Sequence, residues 1–194
     1  MDKATIRREM LKRRKELSPQ ERENLSLAIR EKVKVRPEFR EASQVAFYHP
    51  FSGEVDILPL AWEALKVGKK VLFPRVEGEE LVFCPVKNSR ELRAGYMGIS
   101  EPSTPPLPQE EIELFLVPGV AFDSEGYRLG MGGGFYDRVL SKKGRWQMAL
   151  GVAYDFQLLK ALPRDWWDKQ VDLIVTERRM LTPTTIWHLK RRIR

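Results

Sequence analysis

The chain has 194 residues, 42% of them hydrophobic and 31% charged, with two His and one Cys. That length and apolar content predict one compact domain spanning residues 1–194 and exclude a disordered chain, while a lone Cys84 excludes an internal disulfide framework and fits a reducing compartment. The net charge of +7 divides unevenly: +6 over residues 1–40, −5 over 41–177 and +6 over 178–194. A protein that binds nucleic acid through general basicity would not be acidic across its middle, so the charge belongs to the two ends.

No apolar run reaches the about 18 residues of a membrane helix, because the longest, around Phe115 and Phe122, contains Pro118 and Gly119. The opening MDKATIRREM places charges where a signal peptide needs an apolar segment. A soluble, cytoplasmic protein is expected.

The first forty residues read as two helices. Ile6, Met10, Leu11, Arg14 and Leu17 recur at helical spacing. Ser18-Pro19-Gln20-Glu21 then has the form of a capping box with Pro at the first helical position. The helix it opens runs through Leu25, Ala28, Ile29 and Val33, before Pro37.

Short apolar segments follow, alternating with helical ones. Residues 44–48 (QVAFY), 70–74 (KVLFP), 81–84, 114–118 (LFLVP), 149–152 and 171–175 (VDLIV) read as strands. Residues 57–66 and 135–140 read as helices, the first entered through Asp56 and Pro59 and stopped at Gly68. Strands apolar on both faces are the mark of a buried parallel sheet. The expected architecture is α/β: a three-layer, Rossmann-like αβα sandwich with a largely parallel sheet, preceded by N-terminal helices. The Pro-rich stretch 101–108 (EPSTPPLP) reads as a surface loop rather than an interdomain linker.

Three segments carry candidate chemistry. In 117–138 (VPGVAFDSEGYRLGMGGGFYDR) an apolar run and a polar turn lead into glycines at 130, 132, 133 and 134 and then a helix start. Glycines let successive N–H groups point into one concavity, and a helix N-terminus aims its dipole there. Arg128 before the loop can pair with phosphate oxygens, and Asp137 behind it is a carboxylate suited to Mg2+. The loop is neither a Walker A sequence, lacking Gly-Lys-Ser/Thr, nor a dinucleotide fingerprint, since Phe135 stands where a third glycine belongs. It reads as a phosphate cradle or a glycine-rich turn.

In FYHPFSGEVD, residues 47–56, Asp56 suits a helix cap, whereas Glu54 sits where strand C-terminal ends place ligands. Lys3 and Arg7 share a helix face, which by spacing alone suits a solvated surface. His49 and His188 have no partners at zinc spacing, and Cys84 reads as core.

These segments together resemble the 5-formyltetrahydrofolate cyclo-ligase (5,10-methenyltetrahydrofolate synthetase) family. PGVAFDSEGYRLGMGGGFYDR is similar to that family's signature, and four further motifs follow its order over the whole chain: Lys3-Ala4-Thr5-Ile6-Arg7; Gly53-Glu54-Val55-Asp56; Gly98-Ile99-Ser100-Glu101-Pro102; and Asp168 with Val171-Asp172-Leu173-Ile174-Val175-Thr176-Glu177.

The resemblance implies that Lys3 and Arg7 contact ATP, together with Arg128, Leu129, Gly130, Met131, Gly132, Gly133, Gly134, Phe135 and Tyr136. It implies that Met131 through Phe135 also touch folate, that Glu54 contacts the pterin with His49 nearby, and that Asp137 and Asp168 hold Mg2+. Where many members have Tyr-Tyr after the glycines this chain has Phe135-Tyr136, and Trp167 stands where His often precedes the Asp.

The implied activity is ATP- and Mg2+-dependent conversion of 5-formyltetrahydrofolate to 5,10-methenyltetrahydrofolate, by a monomer with no nucleic-acid or membrane partner. Residue by residue, two other classes compete with it: a basic nucleic-acid module, suggested by the charged ends, and an ATP-independent sugar-phosphate isomerase on a related fold.

Overall fold

A computed structural model describes residues 1–183; the basic run at 188–194 lies outside them. Three helices come first. Helix α1 (Lys3–Glu16) is capped by Asp2, whose Oδ1 accepts from the Thr5 amide at 2.8 Å, and it buries Ile6, Met10 and Arg14. Helix α2 (Pro19–Lys34) opens with the expected capping box: Glu21 N–H donates to Ser18 Oγ and Ser18 N–H to Glu21 Oε1, each at 3.1 Å. The short α3 (Pro37–Glu41), which the sequence did not suggest, inserts Phe39.

Strand β1 (Gln44–Ala46) leads through an irregular segment to α4 (Leu58–Lys66), whose first amide donates to Asp56 Oδ1 at 3.1 Å. Strands β2 (Lys70–Glu77) and β3 (Glu80–Val86) form an antiparallel hairpin longer than expected. The Pro-rich stretch is not simply a loop. Strand β5 (Ser100–Pro102) pairs with β4 (Leu92–Ala94), and Leu107 bridges to Phe83 on β3.

The remaining elements are β6 (Leu114–Val117), β7 (Ala121–Asp123), β8 (Arg128–Leu129), α5 (Phe135–Lys142), β9 (Met148–Val152), β10 (Leu158–Leu159), β11 (Leu173–Val175) and β12 (Met180–Leu181).

The main sheet has seven strands in the order β12-β11-β9-β6-β1-β2-β3. Its inner pairings are parallel, and both edge strands are antiparallel. Period-two alternation divides each inner strand between two cores. Val45, Leu114, Leu116, Leu150, Val152, Leu173 and Val175 face α2, α3 and α4. Ala46, Phe115, Val117, Ala149 and Ile174 face α5 and Phe122. This is the expected three-layer α/β sandwich. A second sheet, β10-β7-β8, lies beside it, and α1 closes over that one through Ile6 and Met10 against Val120, Ala121 and Leu129.

Phe122, fully buried, packs the second sheet against the main one, with Leu158 beside the same core. A Cβ at Gly119 or at Gly151 on β9 would stand 2.7 Å from its ring. Neither position has room for a methyl group. Gly151→Ala is therefore expected to destabilise the protein by about 1–3 kcal/mol, read from urea unfolding midpoints, with part of the loss restored by adding Phe122→Leu.

Candidate active site

A cavity of about 390 Å3 opens beyond the C-terminal ends of β1 and β6 and along β2. Ligands bind at this end of parallel sheets, where the strand-to-helix loops converge. Lys3, Arg7, His49, Glu54, every residue from Arg128 to Asp137, and Asp168 all line it. The fold thus brings together the N-terminal helix, the loop after β1, the glycine loop and the segment before β11. Also on the wall are Tyr48, Phe51, Tyr96, Met97, Ile99, Glu101, Asp165 and Trp167, which sequence reasoning had not marked for the site.

The glycine loop runs from β8 into α5. Its glycines serve two different needs. Gly132 and Gly134 have φ of 110° and 69°, a left-handed backbone that other residues adopt at a cost. Gly130 and Gly133 have ordinary φ but no room: a Cβ would meet the Arg128 guanidinium or the Phe135 ring at 2.7 Å. Gly134 caps α5 without a side-chain acceptor, so the first amides of that helix remain open toward the cavity. Arg7 Nε donates to the Gly130 carbonyl at 2.8 Å, tying α1 to the loop. Arg128 spends its Nε on the Pro118 carbonyl at 2.9 Å and lies 5.1 Å from the centre of the Tyr136 ring. Burial lowers its pKa, as expected for a cation held away from water.

Lys3 Nζ sits between two carboxylates, 2.5 Å from Asp165 Oδ2 and 2.9 Å from Asp168 Oδ2. Burial opposes its charge, but the two hydrogen bonds outweigh this and hold its pKa above the ordinary lysine value. Asp165 N–H also donates to Asp168 Oδ2 at 2.7 Å.

Asp137 is different. Its Oδ1 is buried with no hydrogen-bond partner, and burial, opposed by Arg128 and reinforced by the Asp168 charge, pushes its pKa up. A buried carboxylate oxygen without a donor, with a second carboxylate near enough to feel, fits a hard cation. No cluster of three or more His, Cys, Asp or Glu at metal-binding distance occurs among the described residues. The Asp137 and Asp168 pair therefore fits a Mg2+ that takes most of its ligands from water and substrate.

Glu54 is presented by a segment without helix or strand, residues 51–56. Its Oε1 accepts from the Phe51 amide at 2.8 Å. Burial raises the carboxyl pKa to about 7 even though Arg14, the Phe51 amide, Arg128 and Arg22 all pull it down. At neutral pH this group is thus poised between donor and acceptor. His49 also lines the cavity, and burial lowers its pKa.

The comparisons with known proteins agree with one another. Residues 1–177 match the 5-formyltetrahydrofolate cyclo-ligase family. A protein of that name from Escherichia coli is 32% identical over 185 residues, covering 90% of this chain and 97% of its own. The NMR structure of Aquifex aeolicus 5,10-methenyltetrahydrofolate synthetase shares 43% identity with a TM-score of 0.85, covering 94% of this chain and 93% of that one. The Mycoplasma pneumoniae 5,10-methenyltetrahydrofolate synthetase structure shares 32% identity with a TM-score of 0.76, covering 91% and 99%.

This chain belongs to the 5-formyltetrahydrofolate cyclo-ligase family. As a member of it, the chain is an enzyme of folate metabolism, and the motifs quoted from its sequence meet in one cavity.

The raised pKa of Glu54 sets a pH dependence of stability. Below about 4.5 both folded and unfolded chains hold the proton and nothing is lost. As pH climbs to about 7 the unfolded carboxyl ionises while the folded one does not, so folding loses free energy. Glu54→Gln, which keeps the acceptor for Phe51, is expected to melt a few degrees above the wild type at pH 8 and level with it near pH 4. Thermal unfolding across that range checks this, and a gap that widened toward acid would contradict it.

Proposed function

We propose that the cavity converts 5-formyltetrahydrofolate to 5,10-methenyltetrahydrofolate with ATP and Mg2+, releasing ADP and phosphate. The observation that carries this reading is that one cavity is lined by two unlike sets of groups. Lys3, Arg7, Arg128 and the amides of the glycine loop are a polar set suited to a triphosphate. Phe51, Tyr96, Met97, Ile99 and Phe135 add apolar and aromatic lining suited to a flat pteridine, and Glu54 lines the same cavity. Tyr96 and Phe135 meet edge-on with centres 5.6 Å apart. Phe135 offers a ring to stack on but no hydroxyl, so a side-chain hydrogen bond from this position is absent here.

The chemistry follows from positioning. The formyl oxygen on N5 attacks the γ-phosphorus and the bond to ADP breaks. N10 then closes on the formyl carbon, the carbon–oxygen bond to phosphate breaks, and N10 gives up its proton. Phosphoryl transfer of this kind needs alignment and charge neutralisation more than a protein nucleophile, and none is assigned. Three lining cations, Lys3, Arg7 and Arg128, face five lining carboxylates, Glu54, Glu101, Asp137, Asp165 and Asp168. Such a wall does not by itself neutralise a triphosphate, which favours a nucleotide that arrives with a divalent cation. Mg2+ held by Asp137 and Asp168 would neutralise phosphate charge and orient the transferred group.

No helix of the described residues is long and apolar enough to cross a membrane. Arg14, Arg22 and Arg30 of the basic N-terminal helices turn inward to backbone carbonyls, so this share of the charge serves the fold.

The test is the near-ultraviolet absorbance rise of methenyltetrahydrofolate with and without ATP and Mg2+. Arg128→Ala and Asp137→Ala are expected to abolish the rise while keeping the wild-type circular dichroism spectrum; turnover at the wild-type rate in either removes that residue from the mechanism. Lys3→Ala is expected to raise the KM for ATP about 10- to 100-fold, the worth of one charge-assisted hydrogen bond. An unchanged KM assigns Lys3 to its carboxylate neighbours alone.

A further inference from the structure

Arg14 lies on α1 yet does nothing that a surface helix asks of an arginine. It is 2% exposed and continues the buried stripe of Ile6 and Met10. Its Nε and one Nη donate to the Ser52 carbonyl at 3.0 and 2.7 Å, with a further bond to the Phe51 carbonyl at 3.3 Å. The other Nη reaches the Gly119 carbonyl at 3.5 Å, beyond the end of β6. The turn it grips is strained: Ser52 has φ of 50°, a left-handed conformation costly for a residue with a Cβ, and Gly53 follows at 78°. The backbone also approaches closely, since a Cβ on Gly53 would lie 3.5 Å from the Arg14 Cβ and carbonyl oxygen. That strained turn is the one whose Phe51 amide anchors the Glu54 carboxylate at 2.8 Å.

We propose that Arg14 is the positioning residue for Glu54. By clamping the left-handed turn at Ser52 and Gly53 it fixes the amide that orients the carboxylate, and so sets recognition of the folate substrate. The role rests on the assignment of Glu54 to that substrate. It requires arginine, because one planar fork serves three carbonyls at once, whereas a lysine ammonium would reach only part of the set. It also uses the geometry of α1. Arg7 and Arg14 stand about two turns apart and therefore on one side of the helix, so a single rigid element ties both the glycine loop and the Glu54 turn.

The experiment compares Arg14→Lys, Glu54→Gln, their combination and Arg30→Met in the methenyltetrahydrofolate assay. Arg30 donates to the Asp56 carbonyl at 2.8 Å, at the end of the same segment but off the cavity wall. Arg14→Lys is expected to raise the KM for 5-formyltetrahydrofolate about tenfold and leave the KM for ATP within about twofold, while Arg30→Met lowers the melting temperature without moving either KM. If Arg14 acts through Glu54, the combined variant is no worse for folate than Glu54→Gln alone. Should Arg14→Lys fold poorly, the same comparison is made with Ser52→Gly added throughout, which relieves the left-handed strain.

A normal folate KM in Arg14→Lys, or losses that multiply in the combined variant, overturns the role of Arg14 while leaving that of Glu54 intact. A normal folate KM in Glu54→Gln removes the substrate assignment and the proposal together.

Discussion

The carbonyl groups of residues 51–56 are the constraint on which the site depends. The segment leaves β1, forms neither helix nor strand and lies against the core, so its backbone must find partners among side chains. Each carbonyl finds one. Arg14 serves Phe51 and Ser52, Tyr154 serves Gly53, Arg22 serves Glu54, Tyr48 serves Val55 and Arg30 serves Asp56. Three arginines from the two N-terminal helices thus replace the hydrogen bonds of a missing secondary structure. Part of the N-terminal basicity is explained this way: of the 13 Lys and Arg in residues 1–40, these three are directed at backbone oxygen inside the molecule.

The same economy appears across the cavity. Lys3 is already neutralised by Asp165 and Asp168, whereas Asp137 keeps an unpartnered oxygen beside a buried Arg128. Charges of both signs are therefore placed where incoming groups of the opposite sign would complete them. Under the proposed function, phosphates would meet the cations and the loop amides, and a metal ion the carboxylates. Such a site would then gain more from the nucleotide and the metal together than from either alone, because each would neutralise the groups that repel the other.

Much of this was legible in the sequence where a local rule acts alone. Ser18 and Glu21 announce α2, and the all-apolar 114–117 announces a strand buried on both faces, because capping chemistry and periodicity need no tertiary partner. The glycine loop was legible as a cluster, but not the division of its glycines into two that need left-handed φ and two that need space, since the second pair answers to Arg128 and Phe135 in the folded state. Strands β8, β10 and β12 span two residues each and carry no period to read. Spacing could not separate Lys3 and Arg7 from a solvated face; only the family resemblance did. Arg14 left one clue, a charge on the apolar stripe of α1, and Asp165 left none beyond its place three residues before Asp168.

The wall of the cavity on the β2 side is built from an edge. Past the end of β1, β2 runs on beside β3 alone, and the segment around 99–107 lies along this hairpin. Glu101 takes the Val76 amide, Arg75 reaches the Pro102 and Thr104 carbonyls, and Leu107 bridges to Phe83. Open strand edges invite pairing between chains and hence aggregation. The segment that narrows the cavity therefore also denies hydrogen-bonding groups of this edge to a neighbouring molecule. Loosening it to admit a bulkier substrate would carry a cost in colloidal stability, a trade that any redesign of this pocket inherits.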